Sequence, residues 1–103
     1  MGYITFMLRI RETDTFSRWL RRLKDRSAKA RINVRIRRFQ LDGNPGDTGP
    51  VGEGVSEMKF HFGPGYRVYY IQRADAVLLL CGGDKSSQAA DVERAKRFAK
   101  EES

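Results

Sequence analysis

The chain has 103 residues, 40% hydrophobic and 32% charged, which fits one compact domain over residues 1–103 and leaves too little for a second full core. Its longest uncharged apolar run, residues 76–81, falls far short of the roughly 20 residues that cross a bilayer, Met1-Gly2-Tyr3-Ile4 lacks a basic leader segment, and one cysteine (Cys81) with one histidine (His61) excludes an internal disulfide or a Cys/His metal cluster. The net charge of +7 is uneven, with twelve Lys/Arg against three Asp/Glu in residues 9–38, so the expectation is a cytoplasmic protein without metal or cofactor that meets a polyanion, either a nucleic acid or an acidic protein.

Residues 3–10 alternate, with Ile4, Phe6, Leu8 and Ile10 on one side and Tyr3, Thr5, Met7 and Arg9 on the other, the period of a half-buried strand. Thr13 or Asp14 caps a helix whose Phe16, Trp19, Leu20 and Leu23 form its core stripe, leaving Arg18, Arg21 and Arg22 outward. The chain turns at residues 25–27 and restarts as a second helix with Ala28, Ile32, Ile36 and Phe39 on one face, so the two form an αα-hairpin. On the second helix Arg31, Arg35 and Arg38 make a guanidinium stripe beside the core face; a solvated helical face would look the same.

Residues 42–54 are turn formers with almost nothing to bury, which predicts a mobile loop. Residues 56–62 alternate again as a second strand, Gly63-Pro64-Gly65 turns the chain, and residues 66–73 return as a third strand to complete a hairpin. Residues 77–81 are apolar on both faces and predict a central strand that Gly82-Gly83 ends. Ser86 or Ser87 caps a last helix with Val92, Ala95 and Ala99 on a narrow stripe, acidic residues early and basic ones late. The order is βααβββα: an α+β fold with a small, mainly antiparallel sheet packed against an N-terminal helical hairpin, followed by a C-terminal helix.

If Met58, Phe60 and Phe62 face the core with Tyr66, Val68 and Tyr70, the pleat gathers Glu57, Lys59, His61, Arg67 and Tyr69 on the other face of the hairpin. These groups move protons and hold a phosphate, the needs of RNA cleavage by the ribose 2′-hydroxyl: Glu57 or Lys59 as base, Arg67 as electrostatic clamp, His61 as acid. A solvated cross-strand charge ladder is the alternative. Lys85 follows Gly82-Gly83-Asp84 and could reach a phosphate in the same cleft, but the stretch lacks the spacing of a nucleotide-binding phosphate loop and a helix directly after the lysine. Cys81, Trp19 and Tyr66 are expected to serve packing.

Three stretches carry a family resemblance: Gly52-Glu53-Gly54-Val55-Ser56-Glu57-Met58-Lys59, Gly63-Pro64-Gly65-Tyr66-Arg67-Val68-Tyr69-Tyr70, and Leu80-Cys81-Gly82-Gly83-Asp84-Lys85-Ser86-Ser87-Gln88. With the element order, they resemble the RelE/ParE toxin superfamily, and within it the "addiction module killer protein" branch related to HigB-type and phage Gp49-like toxins. The resemblance implies the toxin of a bacterial type II toxin-antitoxin system, bound by an antitoxin from the adjacent gene. It further implies growth arrest through ribosome-dependent mRNA cleavage, an mRNA interferase activity. Lys59 and Arg67 match the phosphate-binding positions of RelE-like nucleases, Glu57 and His61 stand as acid/base neighbours, and Tyr69 and Lys85 are further carry-overs. Arg31, Arg35 and Arg38, with Arg22 of the first helix, are the expected RNA-binding arginines. ParE-like members share the fold and poison DNA gyrase without cleaving RNA, and an inactive nucleic-acid-binding remnant is the remaining alternative.

Overall fold

Two polar side chains open the N-terminal helices where the sequence predicts. Thr13 Oγ1 accepts from the Phe16 N–H at 3.0 Å at the start of α1 (Asp14–Arg22), and Asp25 Oδ1 accepts from the Ala28 N–H at 3.0 Å at the start of α2 (Arg26–Asp42). Each satisfies a donor that a helix start leaves free. Gly43, at φ 75°, closes α2 in the left-handed conformation. The computed structural model describes residues 7–102.

The strands are β1 (Arg9–Glu12), β2 (Thr48–Gly52), β3 (Val55–Lys59), β4 (Arg67–Arg73) and β5 (Ala76–Gly83), followed by a 3-10 turn (Lys85–Ser87) and α3 (Gln88–Glu101). They form one mixed sheet in the order β1-β5-β4-β3-β2, parallel between β1 and β5 and antiparallel elsewhere. The α+β class is as expected. The helical hairpin covers one face through Phe16, Ala28, Ile32 and Phe39 against Met58, Val68, Tyr70 and Leu79. The second face carries α3, with Ala95 and Ala99 on Val55, Tyr69, Leu80 and Cys81. Among the described residues no helix is long and apolar enough to cross a membrane.

Several boundaries differ from expectation. The 42–54 segment is not wholly loop, since Thr48–Gly52 pairs with β3 as an edge strand. Glu53 and Gly54 both take positive φ, 54° and 80°, the two-residue hairpin geometry that matches strand twist. Pro50 is tolerated there because an edge strand has one unpaired side. The first strand runs to Glu12 because its parallel ladder on β5 pairs Glu12 with Leu79; residues 3–6 of the expected strand lie outside the described residues. The second ends at Lys59 rather than residue 62, because the chain turns through a Gly65 N–H to Phe62 carbonyl bond of 3.1 Å.

Gly82-Gly83 do not end β5 but continue it, and their missing side chains are what the fold uses. A Cβ on Gly82 would sit 2.3 Å from the Trp19 ring on the hairpin side, and one on Gly83 would sit 1.8 Å from Asp91 Oδ2 on the α3 side. Trp19 is thus half-buried against backbone. One step earlier, a β-bulge between the Tyr69–Cys81 and Tyr70–Leu79 pairs leaves both Leu80 and Cys81 against α3, which is why this strand is apolar at consecutive positions. A helix does follow Lys85, contrary to expectation: the 3-10 turn runs directly into α3, with Asp84 Oδ1 accepting from the Ser86 N–H at 2.9 Å. The Ser86 hydroxyl first, and then that bond, hold the Asp84 carboxyl below its usual range.

Candidate functional site

The hairpin parity holds. Glu57 stands opposite Tyr69 and Lys59 opposite Arg67 across β3 and β4, so all four share the face away from the helical hairpin. The strand pattern left unannounced that α3 lies on part of that face. Glu57 is 3% exposed, and its Oε2 accepts from Gln88 Nε2 of α3 at 2.8 Å. Tyr69 is fully buried, and its hydroxyl meets no hydrogen-bond partner. Burial first, then the adjacent Glu57 carboxylate, pushes the Tyr69 pKa up. These two expected site residues therefore lie beneath a helix, away from any open groove, because α3 brings polar as well as apolar groups to the sheet. Next to them the buried Asp91 accepts from Ser87 Oγ and, at 3.0 Å, from Arg94 Nη2.

Toward the Gly63-Pro64-Gly65 turn the sheet face opens into a groove of about 320 Å³, lined by Phe60, His61, Phe62, the turn itself, Arg67 and Lys85. Arg67 is half-buried there, and its Nε has no hydrogen-bond partner. Lys85 is exposed but fixed at its base: its N–H donates to the Pro64 carbonyl at 3.3 Å, and its Cβ would lie only 3.3 Å from a side chain on Gly65. His61 is exposed, and its Nε2 is bonded to Asp47 Oδ2, which leaves Nδ1 available for another partner. That bond is the foremost reason the Asp47 carboxyl is held below its usual range. Lys59 is not among the lining groups; its ammonium leans toward Gly49 of β2, 4.0 Å from where a Cβ would be.

The expected arginine stripe divides. Arg31 is exposed and places its guanidinium 4.8 Å over the Phe62 ring, at the rim of the groove. Arg38 and Arg22 are exposed. Arg35 is not free for a ligand: its guanidinium donates to the carbonyls of Pro45, Asp47 and Lys59 and lies 4.4 Å over Phe60. Burial lowers its pKa, against the pull of Asp47 and Tyr70. It is a brace from α2 to the loop and β3.

Cys81 is buried, donates to the Asp91 carbonyl at 3.6 Å and has its pKa pushed up to about 11 by burial, as suits a packing thiol. Tyr66 is 9% exposed, with its ring 6.3 Å from Trp19 and 6.0 Å from Phe62. Sequence reasoning missed Asp47, whose bond to His61 spans fourteen positions inside a stretch with no periodicity. It also missed the half-buried Gln88 and the buried Asp91, whose polar character hid their place against the sheet. The one available signal was Asp91 sharing a helical face with Ala95 and Ala99.

No protein-family model matches the chain. Over 95 residues it is 48% identical to an uncharacterized protein of Haemophilus influenzae (strain Rd), covering 91% of this chain and 95% of that protein. Among solved structures it is similar to the solution structure of a conserved hypothetical protein from Helicobacter pylori, with a TM-score of 0.55 and 21% identity over 78% of this chain and 97% of the other, a likeness of fold.

Proposed function

The chain belongs to one family with the Haemophilus influenzae protein, and we propose that it is the toxin of a bacterial type II toxin-antitoxin pair, a metal-independent, ribosome-dependent mRNA endoribonuclease acting in the cytoplasm. On this reading the sheet and helices are a RelE-like βααβββα fold with one added edge strand, and the resting form is a complex with an acidic antitoxin from the adjacent gene. The observation that carries the reading is the convergence of Arg67, His61 and Lys85 on one groove, with Arg67 half-buried and its Nε unpaired.

RNA supplies its own nucleophile. The 2′-oxygen attacks the adjacent phosphorus, the P–O5′ bond breaks, and the products are a 2′,3′-cyclic phosphate and a 5′-hydroxyl. His61 Nδ1 takes the 2′-hydroxyl proton while Asp47 holds Nε2 and offsets the charge that forms on the ring. Arg67 neutralises the charge that develops on the phosphate oxygens, and Lys59 adds positive potential from across the ladder. The Lys85 ammonium gives its proton to the departing 5′-oxygen, so the proton count closes. Glu57 and Tyr69 take no part.

Growth arrest on expression, relieved by co-expression of the adjacent gene, is the first expectation. Arg67→Ala, folded by circular dichroism, should lose arrest and mRNA cleavage by primer extension, with cleavage down on the order of 100-fold or more. Retained cleavage in that variant refutes the assignment. A second reading, a ParE-like gyrase inhibitor, is favoured by the burial of Glu57 and Tyr69, which withdraws two of the expected catalytic groups. Loss of gyrase supercoiling without mRNA cleavage would establish it instead.

A further inference from the structure

A second groove, larger than the first, lies between α1 and α3. It encloses about 510 Å³ and is lined by Thr15, Arg18, Trp19, Arg22, Leu23 and Arg94. Thr15, Arg18, Trp19 and Arg22 follow one another at i, i+3, i+4 and i+7, so α1 turns a single stripe into it. Arg18 and Arg22 are like charges at i, i+4, an arrangement that opposes helix formation. Among the described residues neither has a hydrogen bond or an ion pair to relieve it. From the far wall Arg94 enters with Nη2 tied to Asp91 and, at 3.4 Å, to the Gly82 carbonyl, and with its Nε buried and unpartnered. The Trp19 ring is seated on Gly82 where a side chain would have displaced it, and it is half-buried, with part of its surface forming the groove wall.

Two guanidinium groups without partners, a third that is partly committed, and an indole between them are the elements of a single-strand nucleic-acid site. Cations take the phosphates, and the aromatic surface takes a base. We propose that the α1–α3 groove binds single-stranded RNA, with one base against Trp19 and its flanking phosphates on Arg18, Arg22 and Arg94. An acidic peptide would satisfy the cations, but the aromatic row favours RNA. Trp19, Tyr66 and Phe62 follow one another at 6.3 and 6.0 Å in edge-on and tilted contacts, and Phe62 lines the Arg67 groove, so a run of aromatic rings joins the two grooves. The choice of RNA as ligand rests on the cleavage reading; the groove and its unpaired cations do not.

Trp19 is the only tryptophan of the chain and reports the site directly. A short 2′-O-methyl oligouridylate, which cannot undergo the 2′-attack, is titrated while Trp19 fluorescence is followed, with polyglutamate as the competing probe. Saturable quenching is expected. In Arg18→Ala/Arg22→Ala, two exposed-face substitutions, binding should weaken about tenfold or more, and the slope of log K against log salt should fall by about 1.4, two phosphate contacts on a single strand. No quenching, unchanged affinity in the double variant, or equal quenching by polyglutamate overturns the proposal. The two readings separate cleanly. Quenching lost in the double variant while Arg67→Ala still cleaves keeps this groove and discards the cleavage centre; cleavage that depends on Arg67 without quenching does the reverse.

Discussion

Replacing Gly83 with alanine tests how closely α3 is seated on the sheet. The new methyl carbon would lie 1.8 Å from Asp91 Oδ2 and 2.8 Å from Ser87 Oγ, so the Asp91 carboxylate must leave its place. That place is nearly solvent-free, with Asp91 6% exposed and bonded to Ser87 and Arg94. Overpacking alone costs about 1–3 kcal/mol, and breaking a buried ion pair costs about 3–5 kcal/mol. The Arg94 side chain retains 35% exposure and recovers some hydration, which points to the lower part of the range. We expect Gly83→Ala to lose about 3 kcal/mol, a large share of a stability of about 5–15 kcal/mol. In urea, with a slope of about 1 kcal/mol/M, the midpoint should drop by about 3 M. In an Asp91→Ala background the same change should cost under about 1 kcal/mol, because the remaining close atom, Ser87 Oγ, loses its bond to Asp91 and can rotate away, giving a coupling of about 2 kcal/mol. A drop of less than about 0.5 M in the single variant, or no coupling in the pair, refutes the account.

Removing the Arg35 brace by Arg35→Ala should cost about 2–3 kcal/mol, from charge-assisted bonds to three carbonyls and the contact with Phe60, and should speed hydrogen exchange at the Lys59 N–H, which donates to Asp47; unchanged exchange contradicts it. The Asp47 carboxyl should titrate below the unfolded value of about 3.9, so the pairing with His61 contributes fully above that value and is lost as pH falls through the lower folded one. Carboxyl carbon shifts followed by NMR should show the Asp47 midpoint rise in His61→Ala, and a midpoint that stays put removes His61 as the cause. Cys81, with its pKa near 11 and no exposure, should resist a thiol-specific reagent at pH 8 in the native protein and react once urea unfolds it; prompt native labelling contradicts the burial.

Where local pattern dictates structure, the sequence was readable. The cap at Thr13, the turn at residues 25–27, the apolar stripes of the hairpin helices and the alternation that puts Lys59 and Arg67 on one face all follow from short-range pattern. What escaped depends on distant partners. In residues 48–52 the β-formers Thr48 and Val51 are outnumbered by Gly49, Pro50 and Gly52 and show no alternation, and β2 exists because β3 offers it a ladder and residues 53–54 a suitable turn. The polar face was correctly assembled from Glu57, Lys59, Arg67 and Tyr69, but the docking of α3 divides it. Gln88 and Asp91 are polar residues on the buried side of that helix, so no hydrophobic period marks the contact. His61 was placed in the groove by strand parity, yet its partner Asp47 comes from a segment expected to be mobile.

The Arg35 brace determines more than the position of a loop. Its guanidinium grips the main chain of Asp47 while the side chain of Asp47 grips His61, so the imidazole, two residues beyond the end of β3, is tied through Asp47 to a helix on the opposite layer. Because Arg35 also lies over Phe60 and Arg31 over Phe62, a rotation of α2 would re-aim the ring and shift two walls of the groove together, a mechanical link from the arginine-bearing surface to the one histidine of the molecule.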